Sequence, residues 1–181
     1  MTTQIEETVL QKAAELIEKS GFQITGEERQ KLAVNDFGLG QLEVEGFAFI
    51  DILRTPRVRI TLLILLPNQT LPQHMHPPYE QETGKEETLR VLYGQTKVYV
   101  RGEQNNPDML IPEGKEAFYT ARQEIALSPG QFYTVDPNIE HWFQGGPDGS
   151  VNLAFQNRVD ETKNRFYDPQ STGCPIKPTD T

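Results

Sequence analysis

An all-β sandwich or barrel of jelly-roll type, with helices at its N-terminus, is the fold class that this sequence predicts. Three observations predict it. From Gly46 onward, short segments rich in β-branched and aromatic residues recur, separated by Gly, Pro and Asn. Several of them alternate, as in Thr96, Val98 and Val100 against Lys97, Tyr99 and Arg101, which is the period of a strand with one wetted face. Ahead of Gly46 the apolar residues follow a helical spacing instead.

Residues 6–20 read as an amphipathic helix, with Leu10, Ala13, Ala14 and Ile17 on one stripe and Gly21 as its stop. Thr25, with Glu28 three positions on, has the form of a capping box and predicts a second short helix through GEERQKLAV. Strand-like segments follow in order: GFAFIDIL, RVRITLLILL, TLRVLYG, TKVYVRG, EAFYTAR, EIALSPG, QFYTVDP and GSVNLAFQN. Phe118, Tyr119, Phe132 and Tyr133 read as barrel packing, and Trp142 as core or pocket wall. The sequence contains no internal repeat and no low-complexity linker. The expected organisation is a helical segment 1–45 packed on a barrel 46–169, then a tail 170–181 rich in Pro, Thr and Gly.

A chain of 181 residues suits one domain with a real core. Its longest apolar run, Leu62 to Leu66, is far short of the roughly 20 residues a spanning helix requires, so no membrane role is expected. The acidic start MTTQIEETVL lacks the layout of a signal peptide, and one cysteine, Cys174, permits no internal disulfide. Both features fit a cytoplasmic protein. A net charge of -9 argues against nucleic acid as a partner, because phosphate contacts require clustered Lys and Arg. The same acidic field accommodates a divalent cation.

All three histidines enter one constellation. His74 and His76 flank one residue, which on a strand sets both imidazoles on one face. Such a pair by itself more often decorates a polar loop. Here Glu87 follows His76 by eleven residues and leads into a strand, and six residues separate it from Gly94. His141 lies eleven residues after Gly130, in SPGQFYTVDPNIEH. Three neutral imidazoles and one carboxylate suit a borderline divalent ion such as Mn, Fe, Co, Ni or Zn. Four protein ligands in an octahedral shell leave two adjacent positions, which a bidentate substrate can occupy.

This pattern resembles the cupin superfamily, whose first motif runs HxH, then Glu, then six residues and Gly, and whose second ends in one His after a Pro. The gap from His76 to Glu87 is longer than in the plain pattern, Pro137 stands one place late, and Gly145 stands where an Asn often follows the last His. HMHPPYEQETGKEETLRVLYGQTKVYVRGE looks like the bacterial cupin-type D-lyxose isomerases. DFGLG at 36–40, EIALSPGQFYTVDPNIEHWFQGG at 124–146 and FYDP at 166–169 resemble the same family, so the likeness runs from about residue 20 to 169.

The resemblance implies a cupin barrel (a double-stranded β-helix), a homodimer, and a manganese-dependent aldose–ketose isomerase. The implied substrates are D-lyxose and D-xylulose, with D-mannose and D-fructose as relatives, interconverted through a cis-enediol. The family's metal ligands carry over to His74, His76, Glu87 and His141. Lys85, in the KxE element, carries over as a cationic group near the substrate oxygens. The family's proposed base, a Glu about thirteen residues past the last His, falls on Ala154, and no carboxylate occurs between Asp148 and Asp160. Lys85 is one substitute. Tyr79, Glu80 and Glu82 are others, if the insert 77–86 closes as a lid. The isomerase is therefore weighed against a metal-bearing sugar-binding cupin that lost catalysis, and against an iron dioxygenase with the same ligand set; the breadth of the likeness ranks the isomerase first.

Overall fold

Thr3 opens the first helix, α1 (Gln4–Ser20), by a reciprocal cap: its hydroxyl accepts from the Glu6 N–H while the Glu6 carboxylate accepts from the Thr3 N–H. Gly21, at φ 70°, ends it. The computed structural model describes residues 3–172 and 174–175, so most of the expected tail 170–181 lies outside the described residues. The buried stripe of α1 is Val9, Ala13, Leu16 and Ile17. This differs from the stripe read from the sequence, because Leu10 and Ala14 flank the contact and stay half-buried. Thr25 and Glu28 do form the second capping box, over a single turn, α2 (Gly26–Arg29).

Ten strands follow among the described residues: β1 (Ala33–Asn35), β2 (Phe47–Arg54), β3 (Val58–Leu65), β4 (Thr70–Met75), β5 (Glu87–Val100), β6 (Gln123–Leu127), β7 (Phe132–Val135), β8 (His141–Asn157), β9 (Arg165–Phe166) and β10 (Cys174–Pro175). All pairings are antiparallel except that of β10 with β9. The spine is the long pair β5 and β8, joined from Glu87–Gln156 to Val100–His141 with register shifts around Leu92 and Gln95. One half of this pair is flanked by β3 and β7, the other by β4 and β6. The two long strands thus pass from one sheet into the other and curl the whole into a jelly-roll barrel, the expected fold class.

The bend sits where glycines face each other. A Cβ on Gly94, at φ 70°, would lie 2.0 Å from the Gly149 carbonyl oxygen, so the two backbones turn together there. For that reason TLRVLYG and TKVYVRG are one strand, β5, where the sequence reads as two. EAFYTAR is not a strand either. It forms a 3-10 turn (Glu116–Phe118) and an extended stretch whose Ala121 N–H donates to the Gln73 side chain rather than to a neighbouring strand.

The barrel interior is apolar, with Leu63, Leu65, Leu89, Val91, Phe143 and Ala154 among its members. Leu62 and Ile64 point the other way, onto α1 with Ala48, Ile50 and Val151. β3 is therefore buried on both faces, which explains its unbroken apolar run. Trp142 belongs to a third cluster outside the barrel, stacked on Tyr99 at 3.7 Å between ring centroids and covered by Tyr119 and Ala121. Tyr133 packs against the core, but Phe132 is 65% exposed and contributes no barrel packing. No described helix is long and apolar enough to cross a membrane.

Candidate metal centre

β4 carries His74, His76 comes immediately after its last residue, β5 begins with Glu87 and β8 begins with His141. Pairing of β4 with β8 puts His74 opposite His141, and pairing of β5 with β8 puts Val100 opposite His141. The four side chains predicted from the sequence are buried and converge, with one ligand atom from each lying within 4.8 Å of all the others.

The far nitrogen of each ring is anchored by the protein. His74 Nδ1 lies 2.9 Å from the Pro72 carbonyl and His141 Nδ1 lies 2.7 Å from the Ile139 carbonyl. A carbonyl can accept and cannot donate, so both rings carry their proton on Nδ1 and present an Nε2 lone pair. His76 Nδ1 lies 2.8 Å from Asn164 Oδ1, which gives the same tautomer. His76 Nε2 then stands 3.4 Å from Glu87 Oε2, and His141 Nε2 4.0 Å from the same atom. Neither nitrogen has a hydrogen-bond partner among the described residues, although both are buried. Lone pairs facing a carboxylate oxygen in a buried cluster repel one another, at a cost of about 1–3 kcal/mol per unpaired group. A cation among them removes that cost, so the donor set fits a divalent ion.

Electrostatics agree with this assignment. Burial pushes His74 well below the ordinary histidine range, reinforced by the neighbouring imidazoles. Burial likewise pushes His141 down to about 3 and lowers His76, the latter helped by the Lys85 charge. Burial alone would raise Glu87, but the adjacent Lys85 charge outweighs it and holds the carboxyl well below its usual range. The cluster is thus three neutral rings and one anion, the protonation state that metal ligation requires.

Beside the cluster opens a cavity of about 230 Å³, with His74 and Glu87 in its lining. One wall is aromatic: Phe37, Phe47, Phe49 and Phe166, with Phe166 stacked on His74 at 5.3 Å. The other is polar and carries Arg59, Lys85, Gln156, Glu161 and Asn164. Lys85 is buried, its Nζ 3.6 Å from Glu87 Oε2 and 3.5 Å from Glu161 Oε2. Glu161 also accepts from Arg59 at 3.2 Å and from Asn164 Nδ2 at 2.8 Å. Burial acts to raise its pKa, and the Lys85 charge, the Asn164 bond and Arg59 together bring it below the ordinary glutamate value.

Glu161 and Asn164 are the residues that sequence reasoning missed. Ala154, on which the family's base position falls, faces the apolar barrel core between Thr61 and Leu89. Two residues on, Gln156 Nε2 donates to Glu87 Oε1 at 2.8 Å. Beyond Asn157 the strand ends, and the chain folds back through a 3-10 turn (Glu161–Lys163) that carries its carboxylate into the cavity. The signal for that turn is Asp160, whose carboxylate caps it by accepting from the Thr162 N–H. Glu80 and Glu82 are exposed and do not line the cavity. Tyr79 acts on the site indirectly, its hydroxyl accepting from the Asp160 N–H at 2.8 Å.

Solved structures show the same fold. The L-ribose isomerase of Cellulomonas parahominis with L-ribose superposes with a TM-score of 0.73 at 18% identity, over 94% of each chain. That of Acinetobacter sp. DL28 gives 0.70 at 18% identity, over 84% of this chain and 79% of its own. The architecture is that of the cupin-type isomerases. No family model matches the chain. Sequence relatives define the family. The D-lyxose/D-mannose isomerase of Thermosediminibacter oceani is 40% identical over 168 residues, 92% of this chain and 93% of that protein. The D-lyxose ketol-isomerase of Cohnella laeviribosi is 39% identical over 166 residues, 91% of each. The chain belongs to the D-lyxose ketol-isomerase family.

Proposed function

We propose that this chain is a metal-dependent aldose–ketose isomerase acting on D-lyxose and D-xylulose, with D-mannose and D-fructose as the related pair. The observation that carries the reading is the pair of unpartnered imidazole nitrogens turned on Glu87, beside a cavity whose polar wall bears a second carboxylate. His74, His76, Glu87 and His141 would hold the ion, with manganese as the resident metal. When bound, a divalent ion supplies Lewis-acid polarisation of adjacent carbonyl and hydroxyl oxygens.

Glu161 is the proton carrier in this proposal. Kept ionised by Arg59 and Lys85, its carboxylate takes the proton from C2 of the open-chain aldose. The electron pair forms the C1–C2 double bond as the C1=O π pair moves onto O1, giving a cis-enediolate; the O2 proton passes to O1, C2=O forms as C1=C2 breaks, and Glu161 returns its proton to C1. Lys85 offers N–H donors to the oxygens as charge develops on them, in keeping with its place between Glu87 and Glu161. The aromatic wall shelters the carbon skeleton from water. A homodimer and a cytoplasmic location complete the proposal, supported by the family likeness and the single cysteine.

The test is incubation of manganese-loaded protein with D-lyxose and D-mannose, followed by ketose detection. Ketose from either sugar supports the reading. A loaded protein that turns over no aldose overturns it.

A further inference from the structure

The two halves of the site are joined by one amide. Asn164 Oδ1 lies 2.8 Å from His76 Nδ1, and Asn164 Nδ2 lies 2.8 Å from Glu161 Oε2. Its orientation is forced. A flipped amide would set its carbonyl oxygen against the Glu161 carboxylate, so the carboxylate fixes Nδ2 on its own side and leaves Oδ1 for His76.

We infer that Asn164 is a positioning residue that sets the Glu161 carboxylate in register with the His76 imidazole, so that proton carrier and metal ligand are placed by one side chain. This inference rests on the isomerase reading with Glu161 as carrier. His74 and His141 are anchored by carbonyls two residues before them in the chain, a purely local arrangement. His76 is anchored by a side chain 88 residues away, from the end of the turn that carries Glu161. A backbone carbonyl could hold the ring equally well; what it cannot do is donate to a carboxylate. Arg59 and Lys85 also face Glu161, but as charges on long stems at 3.2 and 3.5 Å. The amide adds the short, directional bond, and it does so on the oxygen that Lys85 faces.

Two substitutions in the full-length protein separate the halves. Asn164→Asp keeps an acceptor for His76 and loses the donor to Glu161, placing a like charge beside it. Asn164→Leu loses both bonds. For Asn164→Asp, the expected results are manganese retention after dialysis equal to wild type, and a kcat on D-lyxose lowered by roughly tenfold to a hundredfold with little change in KM. In a Glu161→Gln background the same change is expected to add less than about twofold, because the two act through one bond. Asn164→Leu is expected to bind manganese about 10- to 100-fold more weakly. Wild-type kcat in Asn164→Asp, an undiminished effect in the Glu161→Gln background, or manganese loss equal to that of Asn164→Leu would each overturn the inference. If the wild type converts no aldose, the isomerase reading falls on its own. The bridge is then decided by a crystal structure of Asn164→Asp, where displacement of Glu161 supports it and an unmoved Glu161 overturns it.

Discussion

Gln156 Nε2 donates to Glu87 Oε1 across 2.8 Å, and this turns Oε2 toward the imidazoles of His76 and His141. The carboxylate thereby offers one oxygen to the ligand cluster and gives the other to the protein. Gln156→Leu preserves bulk and removes the donor, leaving Glu87 free to rotate. Manganese affinity is expected to fall about 10- to 100-fold, read by metal analysis after dialysis against graded chelator.

Glu161→Gln keeps shape and withdraws the proton acceptor. The expected result is a kcat lower by ~10²–10⁴-fold with manganese fully retained, measured by steady-state kinetics and metal analysis on the same sample. Wild-type turnover in this variant would remove Glu161 from the chemistry.

Ala154→Glu tests the alternative position. Ala154 has no exposed surface and packs in the barrel core, so a glutamate there must crowd its neighbours and bury a carboxyl. Overpacking alone costs about 1–3 kcal/mol. A lower melting temperature without any gain in ketose formation is expected; faster turnover at unchanged stability would reinstate residue 154 as the site of the base.

Asp51 supports the polar wall from behind, accepting from Arg59 Nε at 2.7 Å and from the Thr61 hydroxyl at 3.1 Å. Burial acts to raise its pKa, but Arg59 and Thr61 outweigh it, so the folded value lies below 3.8. The unfolded chain therefore takes up this proton first as pH falls. The stabilisation is complete well above pH 3.8 and is lost as pH drops through the folded value. Asp51→Asn is expected to lower the urea midpoint at neutral pH and to flatten its decline between about pH 5 and 3. An unchanged decline would exclude Asp51 as a source of the acid sensitivity.

Much of the barrel was legible because strand alternation and Gly–Pro punctuation are local signals, and the convergence of His74, His76, Glu87 and His141 was legible because their spacing is unusual. What the sequence concealed is non-local. Gly94 looks like a turn, and only its contact with Gly149 makes it a bend inside one strand. EAFYTAR has strand composition, yet the Gln73 side chain takes the N–H of Ala121 that a neighbouring strand would otherwise take. Glu161 was overlooked because extrapolation along β8 assumes a straight strand, whereas the chain doubles back after Asn157 and delivers a carboxylate from outside the counted register. Asn164 carries no motif at all; its role exists only once His76 and Glu161 are neighbours.

The anchoring of all three imidazoles through Nδ1 has a further consequence. Their rotational freedom is already surrendered to Pro72, Asn164 and Ile139, so an arriving ion has little left to organise. The ordering of the rings is thereby completed by folding and would not have to be repeated at binding.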